Sequence, residues 1–253
     1  MRPAIACTVV VGRVIVDGMS GIHTAAARLP DGSGQVPLTV FRPEGALRGG
    51  IVVLHESRVF PPALLAFMEV LAAEGWLVVA PNLFHREFTE DDEVFGQNLF
   101  DDVDAAMDWL VRSGVYPDAV GVIGFDDAGT AALIVAANRR VGAAVTVAAH
   151  GIVQPLRPDV PALVEAVRNL QAPWLGLYGE DDPTTPTGDV EQLREAAGQA
   201  DAPTLVIGYP GLAHRPDEPP VEHDTADPDT DPAEAAIIDA RRRIFDWFDA
   251  HLR

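Results

Sequence analysis

The chain carries a single cysteine, Cys7, so no internal disulfide can form and a reducing compartment is permitted. Basic residues are scarce, 18 against 38 acidic ones, for a formal charge of −20. Phosphate-rich surfaces would be repelled, which argues against nucleic acid and anionic membranes as partners. Glycine-rich nucleotide fingerprints are absent, so no cofactor is implied. Long hydrophobic runs are missing too. The apolar opening MRPAIACTVVVGRVIVDG is broken by Gly12 and Arg13, too soon for a signal peptide or membrane span, and reads better as a strand. A cytoplasmic protein acting on a small molecule is the expectation, and nothing in the sequence sets an oligomeric state.

What is present suits a large core. The 253 residues are 48% hydrophobic, a size at which one α/β domain spanning residues 1–253 buries most of its surface without a metal or disulfide staple. Short apolar runs alternate with amphipathic ones, the pattern of a mostly parallel sheet flanked by helices. Buried strands are expected at IVVLHE (51–56), WLVVAP (76–81), VGVIGF (120–125), AVTVAAH (144–150), WLGLYG (174–179) and TLVIGYP (204–210). Antiparallel edge strands are expected near residues 5–16 and 37–42. Leu99, Val103, Met107 and Leu110 recur at helical spacing, with Asp101, Asp102, Asp104 and Asp108 mostly between them. A last helix is expected after Asp231, with Pro232 in its first turn and Ile237, Ile244, Trp247 and Phe248 toward the sheet. Residues 215–232 hold too much Pro and Asp to pack and read as a solvated loop. Asp227, Asp229 and Asp231 imitate the start of a calcium loop, but Pro232 stands where its glycine belongs and Ile238 where its glutamate does. No metal site is expected, including a zinc site built from His55, His150 and His214.

The most informative stretch is VGVIGFDDAGTAALIVAAN, residues 120–138. A buried strand runs into Gly124-Phe125-Asp126-Asp127-Ala128-Gly129 and an Ala-rich helix follows, the context of a nucleophile elbow. Asp126 would occupy a strained turn at a helix N-terminus, where the dipole favours negative charge. An ordinary turn with a capping aspartate is the plainer alternative. Two later strands change the balance: Asp182 follows one and His214 the next. The order Asp126, Asp182, His214 is the nucleophile–acid–histidine order of α/β hydrolases. All three lie at the carboxyl edge of the sheet, where such folds bind ligands.

These residues resemble the dienelactone hydrolases from about residue 36 onward. GFDDAG resembles that family's Gly-Phe/Tyr-Cys-x-Gly-Gly elbow, and YGEDDPTTP and YPGLAHRP resemble its acid and histidine loops. IVVLHE, ending in Glu56, resembles the strand whose glutamate lies near the nucleophile. APNLFHRE resembles a segment whose arginine, here Arg86, helps bind a carboxylate-bearing substrate. AAHG (148–151) stands where the family usually reads Tyr-Gly. The resemblance implies an α/β-hydrolase fold without a large cap domain. It also implies Asp126 as nucleophile or base, His214 as general base, Asp182 as its orienter, and the N–H groups of Ser57 and Asp127 as the oxyanion hole.

The departure falls on the elbow, where aspartate replaces cysteine. A carboxylate attacking an ester gives a mixed anhydride, whereas on saturated carbon it leaves an alkyl ester that a histidine-activated water can cleave. Haloalkane dehalogenases and epoxide hydrolases use aspartate in that way, but Asp127 is not their tryptophan and residues 151–171 have room only for one or two short helices. Glu56 and Asp126 would be two carboxylates in one pocket, which raises one pKa. Two functions therefore follow: a hydrolase of a small ester, lactone or related electrophile, or a non-catalytic descendant that keeps the pocket for ligand binding or interaction.

Overall fold

A computed structural model describes residues 21–57, 59–86, 95–215 and 232–252. The chain enters the sheet through a hairpin, β1 (Ile22–Arg28) and β2 (Gln35–Phe41), paired antiparallel over seven residues. The expected edge strand near 37–42 is β2, while residues 5–16 lie outside the described residues. β1 was not anticipated, because IHTAAAR carries three alanines and little strand propensity. Pairing with β2 decides its conformation, an override of local preference by register.

The aliphatic runs become β3 (Gly49–Leu54), β4 (Trp76–Pro81), β5 (Val120–Phe125), β6 (Ala143–Val147) and β7 (Trp174–Gly179), every residue of which is buried. Continuous apolar runs can be strands here because helices cover both faces. With the edge strand β8 (Thr204–Tyr209) they complete an eight-stranded sheet ordered β1-β2-β4-β3-β5-β6-β7-β8, parallel from β4 to β8. Side-chain alternation assigns the two faces. Ile51, Val53, Val78, Ile123 and Val145 pack with α1 (Pro62–Ala73) and α6 (Pro232–His251). Val52, Leu54, Val79, Val122 and Ala144 pack with α2 (Gln97–Arg112), α3 (Asp126–Asn138), α4 (Leu163–Ala166) and α5 (Thr187–Ala197). The fold is thus the expected α/β-hydrolase architecture, and residues 151–171 hold only α4 and a 3-10 turn at Val167–Asn169. Among the described residues no helix is long and apolar enough to cross a membrane.

Helix α6 starts at Pro232 as expected, with Ile244 and Phe248 fully buried, although Trp247 is only partly covered and packs 4.5 Å from His251. A second departure concerns α2. Asp102, one of the aspartates among those apolar positions, is completely buried and accepts two Arg86 hydrogen bonds of 2.8 Å, with His85 Nε2 at 3.2 Å. A carboxylate can be buried there because a planar guanidinium meets it with both nitrogens. The pair ties the loop after β4 to α2.

Strand order positions the site. The chain runs outward from β3 to β4, then returns to lay β5 against the other side of β3. Successive loops therefore diverge at the carboxyl ends of β3 and β5 and leave a crevice between them, the place where open α/β sheets hold ligands. Glu56 and Asp126 follow those two strands directly.

Candidate active site

Asp126 is the first residue of α3 and has φ 53°, one of two described non-glycine residues in the left-handed region. For a residue with a Cβ this turn costs ~1–2 kcal/mol, and neighbouring glycine makes it sterically possible. A Cβ on Gly124 would come within 2.0 Å of the Ala128 carbonyl oxygen. The turn thrusts the Asp126 carboxylate above the sheet edge, with its side chain only 13% exposed.

Another glycine brings the remaining loops together. A Cβ on Gly179 would lie 2.3 Å from the His214 carbonyl oxygen, so only glycine lets the loop after β8 fold back over the end of β7. The Asp181 N–H, donating to Leu212 O at 3.0 Å, pins that contact. His214 Nδ1 consequently donates to Asp182 Oδ2 at 2.8 Å. Asp182 is almost completely buried, and its other oxygen accepts from the Thr184 amide at 2.7 Å and the Thr184 hydroxyl at 2.5 Å. Burial alone would push this carboxyl up, but the bonds from Thr184 and His214 hold it below the ordinary carboxylate range. It is therefore the ionised acceptor that fixes the His214 tautomer.

The opposite nitrogen, His214 Nε2, lies 3.3 Å from Asp126 Oδ1, out of line for a hydrogen bond, and that oxygen is buried without any. Asp126 Oδ2 is anchored by Arg215 Nη1 at 3.1 Å, and the Arg215 guanidinium rests 4.5 Å above the Phe125 ring. Burial raises the Asp126 pKa above its ordinary value, with Arg215 and then His214 offsetting part of the rise. Glu56 is raised as well, by burial first and then by Asp126 and Asp127. The carboxylates expected to share one pocket do so, and a cation that contacts Asp126 is Arg215, which the sequence places at the start of a solvated loop. Its adjacency to His214 was the available signal.

The other expected site residues divide. Glu56 and Ser57 line a cavity of about 190 Å³ together with Asp126, Arg215 and the apolar side chains of Leu64 and Phe67. Arg86 is not among the residues lining this cavity, and bidentate pairing with Asp102 holds its guanidinium against α2. The Ser57 and Asp127 amides both have internal acceptors: Ser57 donates to His55 Nδ1 at 3.1 Å and Asp127 to Glu56 Oε2 at 3.3 Å. His55 is buried and pushed down to about 4 by loss of hydration, so it is neutral and serves as the acceptor for Ser57. The Asp127 side chain accepts from His150 Nδ1 at 2.8 Å, a pairing that no periodicity could reveal because α3 and β6 separate the two. Among the described residues no group of three His, Cys, Asp or Glu is placed to hold a metal ion.

The chain is similar to known proteins over most of its length. The model of the dienelactone hydrolase family covers residues 36–252. A Yersinia pestis protein named "Putative carboxymethylenebutenolidase" is 28% identical over 91% of this chain and 90% of its own length. One of the same name from Escherichia coli K12 is 29% identical over 70% and 68%. A crystal structure described as a "Putative Dienelactone Hydrolase" of Klebsiella pneumoniae shares the fold with TM-score 0.73 and 24% identity, covering 92% of this chain and 100% of that one. The matched segment contains the strained elbow, the acid loop and the histidine loop together, and the chain belongs to the dienelactone hydrolase family of α/β hydrolases.

Proposed function

We propose that this hydrolase opens small activated esters or lactones through Asp126, His214 and Asp182. The observation that carries the reading is the placement of His214, with one nitrogen 2.8 Å from the buried Asp182 and the other 3.3 Å from Asp126. With Nδ1–H committed to Asp182, Nε2 is the nitrogen left to exchange protons on the Asp126 side. The reaction starts from the Asp126 carboxylate with a proton on His214 Nε2, the charge arrangement of a thiolate–imidazolium couple. Asp126 Oδ1, desolvated and without a hydrogen bond, is the attacking atom, while Arg215 holds Oδ2. Attack forms a bond from Oδ1 to the acyl carbon and breaks the ester C–O bond, and the departing oxygen takes the His214 proton. Neutral His214 then removes a proton from water, and the hydroxide cleaves the acyl-aspartate and restores the carboxylate. Because a carboxylate is a weak nucleophile at an acyl carbon, the substrates are those whose leaving oxygen is much less basic than an alkoxide, enol or aryl esters and enol lactones rather than simple alkyl esters. The family's description, dienelactone hydrolase, supports the same class.

A second reading rests on the engaged amides of Ser57 and Asp127. With those donors occupied, a developing carbonyl oxyanion has little to receive it, and attack on a saturated carbon needs none. The test is hydrolysis of p-nitrophenyl acetate, an enol lactone, ethyl acetate, a haloacetate and an epoxide by wild type and His214→Ala. Expected is turnover of the first two, little of ethyl acetate, and a loss of about 10³-fold in the variant. Turnover of the haloacetate or epoxide alone would favour the second reading. A silent wild type whose Asp126→Cys variant hydrolyses the aryl ester would overturn both and mark a scaffold kept for binding.

A further inference from the structure

Thr184 links two histidine–aspartate couples. Its hydroxyl is 2.5 Å from Asp182 Oδ1 and 3.3 Å from His150 Nε2, while His150 Nδ1 is 2.8 Å from Asp127 Oδ1. The series Asp127–His150–Thr184–Asp182–His214 therefore runs in unbroken contact to Asp126. A hydroxyl has one proton to give. Here it is given to Asp182, so His150 meets the Thr184 oxygen as a donor, and with Nδ1–H directed at Asp127 both of its nitrogens carry protons. The same allocation excludes Thr184 as a nucleophile served by His150, since its proton is already committed elsewhere.

We propose that His150 is a positioning residue for the triad: as an imidazolium it turns the Thr184 hydroxyl onto Asp182, and as a neutral ring it draws that hydroxyl away. In the first state Asp182 Oδ1 accepts two bonds from Thr184 and Oδ2 accepts His214. In the second, the bare Nε2 lone pair competes for the hydroxyl proton, and Asp182 loses one of its three donors. The groups facing His150 favour the cation: Asp127 and Asp126 from α3, Asp182 from the loop after β7, and Glu56 from the loop after β3. The Asp127 hydrogen bond raises the His150 pKa above its ordinary value against the opposing effect of burial, so the exchange falls on the alkaline side of ordinary histidine titration. The inference rests on the hydrolase reading only for its effect on rate.

Proton–nitrogen NMR of the histidine rings, from about pH 5 to about pH 9, tests the linkage without any substrate. In wild type the His214 Nδ1–H resonance is expected to inflect where His150 titrates. In Thr184→Val the inflection should vanish although His150 still titrates, and in Thr184→Ser it should return. On a substrate of the panel, Thr184→Val should lower kcat about tenfold with KM nearly unchanged, and Thr184→Ser should restore it. An inflection of equal size in Thr184→Val would show direct electrostatics between the rings and overturn the proposal, as would a His214 resonance insensitive to His150 in wild type. Coupled resonances in a protein that hydrolyses nothing would leave the linkage standing and remove the hydrolase reading instead.

Discussion

Asp126→Asn is expected to lower hydrolysis of p-nitrophenyl acetate by ~10³-fold or more while leaving the protein folded. Asparagine is the informative replacement because it tolerates the left-handed region better than other side chains, and φ at this position is 53°. Its amide oxygen can still accept from Arg215, so the loop bearing His214 keeps its anchor. What disappears is a charged oxygen able to attack. Stability should move the other way. Burial raises the Asp126 pKa, so its folded value lies above its unfolded one, and the fold loses stability as pH rises through that window. The asparagine variant escapes this loss. Thermal unfolding at neutral pH should place it at or above wild type, with the advantage fading in acid. Retention of even half the wild-type rate would remove Asp126 from the reaction.

The second large effect is expected at Asp182, which touches no substrate in this account. Asp182→Asn should cost ~10³–10⁴-fold in kcat, because an amide no longer dictates which imidazole nitrogen keeps the proton. The side chain is nearly inaccessible and accepts three hydrogen bonds, from the Thr184 amide, the Thr184 hydroxyl and His214. Asparagine offers one oxygen to these donors, which leaves a buried donor unmatched at about 2 kcal/mol. The sign with pH is opposite to that at Asp126. Asp182 is held below the ordinary carboxylate range despite its burial, so its contribution is present above the unfolded value and is lost as pH falls through the lower folded one. Denaturant unfolding of wild type and variant should differ most near neutrality and converge in strong acid. A constant difference across that range would mean that packing, and not ionisation, supports the fold at this position.

The parts of the molecule that were legible are those in which local chemistry and tertiary role agree. β3 to β7 read clearly because burial on both faces makes an unbroken apolar run. The elbow read clearly because a sharp strand-to-helix turn demands Gly124 beside Asp126. Asp182 and His214 followed from their places beyond successive strands. Where a residue's partner is distant in sequence, periodicity was silent or misleading. Asp102 sits at a position that composition assigns to solvent, and only Arg86 arriving from the loop after β4 makes its burial possible. That same pairing gives the Arg86 guanidinium a partner on α2 that its motif did not record. Arg215 was hidden by the proline- and aspartate-rich stretch it begins, although it contacts the nucleophile position directly. Thr184 could have been found, since a threonine two residues after an aspartate commonly closes an Asx turn onto it. The His150–Asp127 pair could not, because nothing local records that the ends of β5 and β6 adjoin.

The central claim is that Asp126 becomes covalently acylated, and rapid-quench mass spectrometry of His214→Ala mixed with p-nitrophenyl acetate addresses it directly. With the base removed, the second half of the reaction stalls. One equivalent of p-nitrophenol should be released per enzyme while the peptide containing Asp126 gains one acetyl group, and neither should occur when Asp126 is also replaced by asparagine. Steady release of p-nitrophenol with no acetylated peptide would contradict the account, because water and not Asp126 would then be the group that attacks.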